Sequence, residues 1–199
     1  MLISILIPTI SERGEQFQKL QDGLYTQIKA NNLEKKVEII SISDNRTIPL
    51  SQKRNMLQKL ARGKYFTHLD DDDNLADDYC SVIINHIESL KELPDIISYN
   101  QLAKVNGQRF IVNSDIEAPL YLIPIGGTTN YAEFKRYPWQ WCLWSEKFKK
   151  VYRSDSDTNA REDQNWLKKI QLEYPKTISN LDFMGHVYNF DDPSLSSCQ

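Results

Sequence analysis

The sequence predicts an α/β domain with a Rossmann-like half, in which a mixed central sheet is flanked by helices. Two observations carry that prediction. In the first half of the chain, short apolar runs alternate with longer segments of helical period, which places helical crossovers between parallel strands. The third apolar run then ends in four consecutive aspartates, Asp70 to Asp73. They stand at a strand end, the usual position of a ligand site in an open α/β sheet.

Each element follows from its local pattern. Leu2 to Ile7 is a continuous apolar run, suited to a strand buried on both faces. Phe17, Leu20, Leu24 and Ile28 recur at helical spacing. Val37 to Ser43 reads as the second strand. The next helix carries Met56, Leu57 and Leu60 and stops before Gly63, a C-cap residue. Lys64 to Leu69 is the third strand, and a long helical pattern begins at Leu75 and continues through Tyr79, Val82, Ile83, Ile87 and Leu90. Asp95 to Tyr99 and Arg109 to Val112 read as strands around a turn at Asn106-Gly107. Ser114 to Tyr137 has no clear period and reads as a long loop. A further helix begins near Glu162-Asp163 with Trp166, Leu167 and Ile170 inward. The last strand is expected from Phe183 to Phe190.

Composition bounds the function. A chain of 199 residues fits one domain, 1–199. Its 40% apolar and 11% aromatic content supplies a core and argues against disorder. A net charge of −3 offers no bulk attraction to nucleic acid or an anionic membrane, so no nucleic-acid partner is expected. The opening apolar run is too short to span a bilayer and has no basic flank, so no membrane span is expected. Cys80, Cys142 and Cys198 are odd in number and unpaired in spacing, which indicates neither a disulfide framework nor a zinc site. The chain reads as cytoplasmic and soluble.

The aspartates carry the clearest chemistry. Two carboxylates about 5 Å apart repel by roughly 3 kcal/mol at an effective dielectric near 20. A bound cation relieves that repulsion, and hard divalent ions prefer carboxylates together with substrate phosphates. An EF-hand loop does not fit, because Leu75 stands where the loop needs glycine. The bland alternative is a solvated acidic helix start. Asp44-Asn45 closes the second strand, either as a turn or as a contact to a base or ribose. Lys53, Arg54 and Asn55 open the next helix, either as an exposed face or as contacts to a diphosphate. Asp163 is either a helix cap or a proton acceptor beside a cleft. His186 is either a buried, satisfied histidine or a metal ligand. Trp139 and Trp141 offer indole faces for a sugar, or pack in the core.

Taken in order, these segments resemble the family-two glycosyltransferases with a GT-A fold, over the stretch from Ser4 to about Phe190. Ser4-Ile5-Leu6-Ile7-Pro8-Thr9 is similar to that family's first strand and nucleotide loop. Asp44-Asn45 resembles its base-recognising acid, and Lys53-Arg54-Asn55 its "aRN" segment. Gly63-Lys64-Tyr65 through Asp73, followed by Asp77-Asp78-Tyr79, is similar to its aspartate pattern. Glu162-Asp163 resembles its "ED" pair. The family's "PxYN" opening is here Pro8-Thr9-Ile10-Ser11.

The resemblance implies a single GT-A domain that moves one sugar, with inversion, from a nucleoside-diphosphate sugar, by the family's habit a UDP-sugar, to a glycan or other hydroxyl acceptor. It implies Mn²⁺ or Mg²⁺ held by Asp72 and Asp73, and His186 is added as a further ligand. Pro8, Thr9, Asp44, Asn45, Lys53, Arg54, Asn55, Asp70 and Asp71 would contact the nucleotide. Asp163 would be the general base, with Trp139, Trp141 and Glu162 on the acceptor side. Residues 1–93 would form the donor half and 94–199 the acceptor half. A short chain without C-terminal membrane helices points to single-sugar transfer rather than processive synthesis. Two other readings compete: a nucleotidyltransferase, which needs a Gly-rich basic loop after the first strand, and a non-catalytic nucleotide- or sugar-binding module.

Overall fold

The computed structural model describes residues 1–154, 161–173, 175 and 177–189. The first strand, β1 (Ile3–Ile10), is buried along nearly its whole length, as its unbroken apolar run requires. A 3₁₀ turn (Ser11–Arg13) leads into α1 (Gly14–Ala30), which buries Leu24 and Ile28. β2 (Val37–Asp44), α2 (Leu50–Leu60) and β3 (Tyr65–His68) complete two β-α-β units. After the aspartates come β4 (Asn74–Leu75), α3 (Tyr79–Ser89), β5 (Ile96–Val105), β6 (Gln108–Ser114), β7 (Ile123–Gly127), β8 (Ala132–Arg136) and β9 (Leu143–Ser145). The elements α4 (Glu162–Leu172) and β10 (Ile178–Asn189) finish the described fold.

Among the described residues the strands form one sheet in the order β2-β1-β3-β9-β5-β6-β8-β7, with β10 pairing β5 and β4. The sheet is parallel where helices cross over and mixed beyond β3. One register matters for the site. β1 pairs with β2 from Ile3↔Val37 to Ile10↔Asp44, but with β3 only from Ile3↔Tyr65 to Leu6↔His68. Past the bond from Leu69 N to Leu6 O at 3.0 Å, the two chains separate. A crevice therefore opens between the carboxyl ends of β1 and β3, where the strand order reverses.

Four elements differ from the sequence reading. Leu75 does not begin a helix, because it pairs with His186 in β4 and the Ala76 N–H goes to Gly185 O at 3.1 Å. Those backbone groups are spent on β10, so α3 starts at Tyr79. In α2, Met56 and Leu60 are exposed while Lys53 and Arg54 are buried. Ion pairs to acids of neighbouring elements turn the charged face inward against the apolar pattern. The 114–137 segment holds two strands, β7 and β8, which pair antiparallel with each other. The last strand begins earlier, at Ile178, and pairs in parallel with β5. Phe190 and Cys198 lie outside the described residues. The Asn106-Gly107 turn is as read, with φ of 48° and 76° closing the β5–β6 hairpin. No helix among the described residues is long and apolar enough to cross a membrane.

Gly63 shows how tightly the first crossover closes. Its N–H donates to Ser4 Oγ at 2.8 Å, and that hydroxyl in turn donates to Glu38 at 2.6 Å. A Cβ at position 63 would lie 2.5 Å from Tyr65 O and 2.7 Å from Ser4 N, both backbone atoms. Gly63→Ala is therefore expected to cost about 1–3 kcal/mol, the usual range for overpacking. Urea denaturation of the variant beside the wild type measures it, and an unchanged midpoint would contradict the packing described here.

Candidate active site

The crevice between β1 and β3 collects residues from three strand ends. Thr9 Oγ1 donates to Asp71 at 2.7 Å, and Arg13 Nη1 reaches Asp71 at 2.7 Å and Asp72 at 3.1 Å. Pro8 is buried in β1 just before them. The Lys53 ammonium donates to Thr9 O at 2.8 Å and forms an ion pair with Asp44. Asp44 also accepts from the Ile48 N–H at 2.6 Å and from Thr47 Oγ1 at 3.1 Å. The Lys53 contact holds the Asp44 carboxyl far below the usual carboxylate range. Asn45 is exposed beside them. Asn55 spends both amide atoms on the Arg153 backbone, donating to its carbonyl at 2.9 Å and accepting from its N–H at 2.8 Å.

A buried ion cluster lies between α2, the end of β3 and the start of α4. Arg54 is 1% exposed and pairs with Asp70, Glu162 and Asp163. Arg153 pairs with Glu162 and lies 3.7 Å from Asp163. Its guanidinium also donates to Gln58 at 2.9 Å and to Gln140 at 3.2 Å, and stacks 4.4 Å above the Trp166 ring. Glu162, read from sequence as facing an acceptor, is fully buried; its carboxylate holds Arg54 and Arg153 instead. Burial alone would lower the Arg54 pKa, but Asp163 and Asp70 hold it above its ordinary value. Arg153 is pushed down to about 9 by burial and by Arg54. Burial pushes the Asp70 carboxyl up despite Arg54, and Asp73 and Asp163 add to that push.

Asp70, Asp73, Asp163 and His186 converge on one cavity of about 520 Å³, beside Trp139, Trp141 and Arg136. Asp163 sits in the first turn of α4, with its side chain a quarter exposed toward this space. Trp139 carries the Arg136 guanidinium 4.1 Å above its ring. Trp141 is buried and stacks on the His186 ring at 5.1 Å with a 10° interplanar angle. Gln101 Nε2 lies 2.9 Å from His186 Nδ1, so one ring face and one nitrogen of His186 are held in place. Burial lowers the Arg136 pKa to about 10.

Whether a divalent cation fits is decided by how the aspartates face. His186 Nε2 lies 2.9 Å from Asp73 Oδ2, yet the nitrogen is buried without a hydrogen bond. An imidazole nitrogen and a carboxylate oxygen in that relation fit two ligands of one ion. Asp72 turns away: with Asp71 and Asp73 it borders a recess of about 240 Å³ against α1, and it meets Arg13. Burial, then the Asp70 and Asp73 charges, push Asp72 up to about 7. Among the described residues, no group of three or more His, Cys, Asp or Glu side chains is gathered as a complete metal site. The protein would thus supply Asp73 and His186, and substrate oxygens or water the rest.

The sequence reading missed Arg153, Gln58, Gln140, His68, Gln101, Arg13 and Arg136. Local pattern marks none of them, because each acquires its partners only when distant segments pack. For Arg13, its place in the loop after the first strand was a usable signal.

Comparison with known proteins places the fold. No protein-family model and no curated protein sequence matches this chain. Among solved structures, S. aureus TarS superposes with a TM-score of 0.62 at 16% identity, covering 95% of this chain and 37% of TarS. A 1–349 form of TarS in complex with UDP-GlcNAc gives 0.61 at 16% identity, over 95% of this chain and 58% of that one. The catalytic domain of Drosophila β1,4-galactosyltransferase 7, in complex with xylobiose, gives 0.54 at 13% identity, over 93% and 68%. The architecture is a GT-A fold, the one these glycosyltransferases share. The chain spans between 37% and 60% of the TarS chains it matches.

His68 offers a pH test of the buried cluster. Its Nε2 lies 3.2 Å from Gln58 Oε1 and 3.3 Å from Arg153 Nη1. Burial, then the Arg153 and Arg54 charges, push its pKa well below the ordinary 6.5. The unfolded chain takes up a proton near that ordinary value while folded His68 stays neutral. Stability from this group is therefore full above about pH 6.5 and falls below it, by at most about 1.4 kcal/mol per pH unit. Urea denaturation at about pH 7.5 and pH 5.5 should show a smaller acid loss in His68→Gln than in wild type. Equal losses would mean that His68 is not held neutral.

Proposed function

We propose that this protein transfers a single sugar from a nucleoside-diphosphate sugar, a UDP-sugar, to an acceptor hydroxyl, with inversion at the anomeric carbon. The observation that carries the reading is the meeting of Asp163, Asp70, Asp73 and His186 on one cavity within a GT-A fold. Support also comes from the fold neighbours, one holding UDP-GlcNAc and another a galactosyltransferase. The crevice at Pro8, Thr9, Asp44, Asn45, Lys53 and Asp71 is the donor's side in this reading. Residues 1–93 form the donor half and 94–199 the acceptor half, joined through the Arg54 pairs with Glu162 and Asp163.

Asp73 and His186 would hold Mn²⁺ or Mg²⁺. Ligation through His186 Nε2 needs the proton on Nδ1, so the Gln101 amide would present its oxygen there in place of its nitrogen, and Trp141 sets the ring plane. When bound, such an ion neutralises charge on the leaving diphosphate. Asp163 takes the proton from the acceptor hydroxyl, and the oxygen attacks the anomeric carbon from the face opposite the diphosphate as that bond breaks. Arg54 and Arg153 fix the Asp163 carboxylate, so it needs little reorganisation during the reaction. Trp139 offers a ring face at the cavity wall against which a sugar can pack.

Three measurements test this reading. In calorimetry, Asp73→Ala and His186→Ala should weaken UDP binding in the presence of Mn²⁺ and change it little without metal. Equal losses in both conditions would remove the ion from the reading. Asp163→Asn keeps the shape but not the base: it should bind UDP as wild type does, and transfer sugar about 10²–10⁴-fold more slowly. NMR of the product should show the anomeric configuration opposite to the donor's. Retention of configuration, or full activity in Asp163→Asn, would defeat the mechanism. Release of pyrophosphate from a nucleoside triphosphate would favour nucleotidyl transfer instead, and UDP binding without turnover a binding module.

A further inference from the structure

Beyond Asp163, the cavity continues along the inner face of β5, β6 and β8, where Ala103, Val105, Phe110, Val112 and Phe134 give it an apolar floor. Residues of alternating position on each strand share this face, as the pleat dictates. One cation interrupts it. Arg136, the last residue of β8, holds its guanidinium carbon 4.1 Å from the Trp139 ring centre and 5.9 Å from that of Trp141. Its Nε is buried without a hydrogen-bond partner, and among the described residues its side chain forms no ion pair.

The contrast with the neighbouring arginines makes this informative. Arg54 and Arg153 are matched by Asp70, Glu162 and Asp163. Among the described residues Arg136 forms no ion pair and feels Asp163 only as a longer-range attraction; its guanidinium is half-buried, and the buried Nε is left unsatisfied, which is costly. Stacking on an indole leaves its hydrogen-bonding edge free to meet a planar or tetrahedral anion. Thr9, Asp44 and Lys53 of the donor crevice do not line this cavity, whereas Asp70, Asp73 and His186 form the end of it that meets the donor.

We infer that Arg136, seated on Trp139, selects acceptors that carry a phosphate or carboxylate next to an apolar group, the anion on the guanidinium and the apolar part on the floor of β5, β6 and β8. The inference rests on reading this cavity as the acceptor side of a sugar transferase, and it names the acceptor's chemical class. It adds a specificity residue from a strand where the sequence showed only a loop.

The test uses small probes and needs no donor. Phenyl phosphate, benzoate and the neutral benzyl alcohol are titrated into ¹⁵N-labelled protein without divalent metal, following the indole N–H signals, with Trp139 assigned by Trp139→Phe. Both anions should shift the Trp139 signal and bind about tenfold or more tighter than benzyl alcohol, the worth of one charge-assisted contact. Inorganic phosphate should bind more weakly than phenyl phosphate, because it lacks the apolar part. Arg136→Met should erase the preference for anions, and saturating UDP should leave it intact. Equal affinity for charged and neutral probes, an unchanged preference in Arg136→Met, or displacement of phenyl phosphate by UDP would overturn the inference; displacement would assign Arg136 to the donor diphosphate. Should Arg136→Met fail to fold, the wild-type comparison of charged with neutral probes decides. Failure of UDP to bind at all would count against sugar transfer, while the probe comparison would still stand or fall by itself.

Discussion

A buried guanidinium facing three carboxylates is the contact from which the site is assembled. Arg54 rises from α2 and reaches Asp70 at the end of β3 and both acids that open α4. Without it, Glu162 and Asp163 would keep only Arg153 among the described ion pairs and Asp70 would keep none, in a region that burial makes poorly screened. Breaking such a buried arrangement typically costs about 3–5 kcal/mol, because charge is left uncompensated. The same contact fixes the distance between the crevice behind Asp70 and the carboxylate of Asp163. Arg153 completes the cluster by spanning Glu162, Gln58 and Gln140, while Asn55 clamps its backbone.

The second constraint is one of register. β1 leaves β3 after Leu6 but stays with β2 to Ile10, so its last residues have a partner on one side only. Thr9 and the following turn are thereby free to reach the aspartate loop, and Lys53 bridges Thr9 to Asp44 across the strand ends. Polar groups that a continuous sheet would have excluded are admitted here, each with a partner. The crevice is thus a consequence of unequal strand pairing.

The third element is the long strand β10, which brings His186 from far along the chain to Asp73. Its pairing with β4 on one side and β5 on the other sets the histidine at Leu75 and Gln101 in register. Trp141 covers the ring face, and Gly185 lies so close to Tyr99 that a Cβ there would meet its ring at 2.7 Å. Rigid surroundings of this kind are what a ligand or catalytic group needs to keep its geometry.

The alternation of apolar runs and helical period determined the two β-α-β units, the aspartates at a strand end, and the acids opening α4, because these depend on patterns within one segment. Asn106-Gly107 likewise specified its hairpin through backbone preference alone. Tertiary structure decided the rest. Met56 and Leu60 belong to the apolar pattern of α2 yet face solvent, since ion pairs turn the charged face of this short helix inward. The 114–137 segment reads as loop because its strands gain their hydrogen bonds from β6 and from each other, which no local period records. Asp72 and Asp73 are equivalent in sequence, but only packing turns one toward Arg13 and the other toward His186. Arg153 carries no local mark at all, because a charge becomes part of a site only when residues distant in sequence surround it.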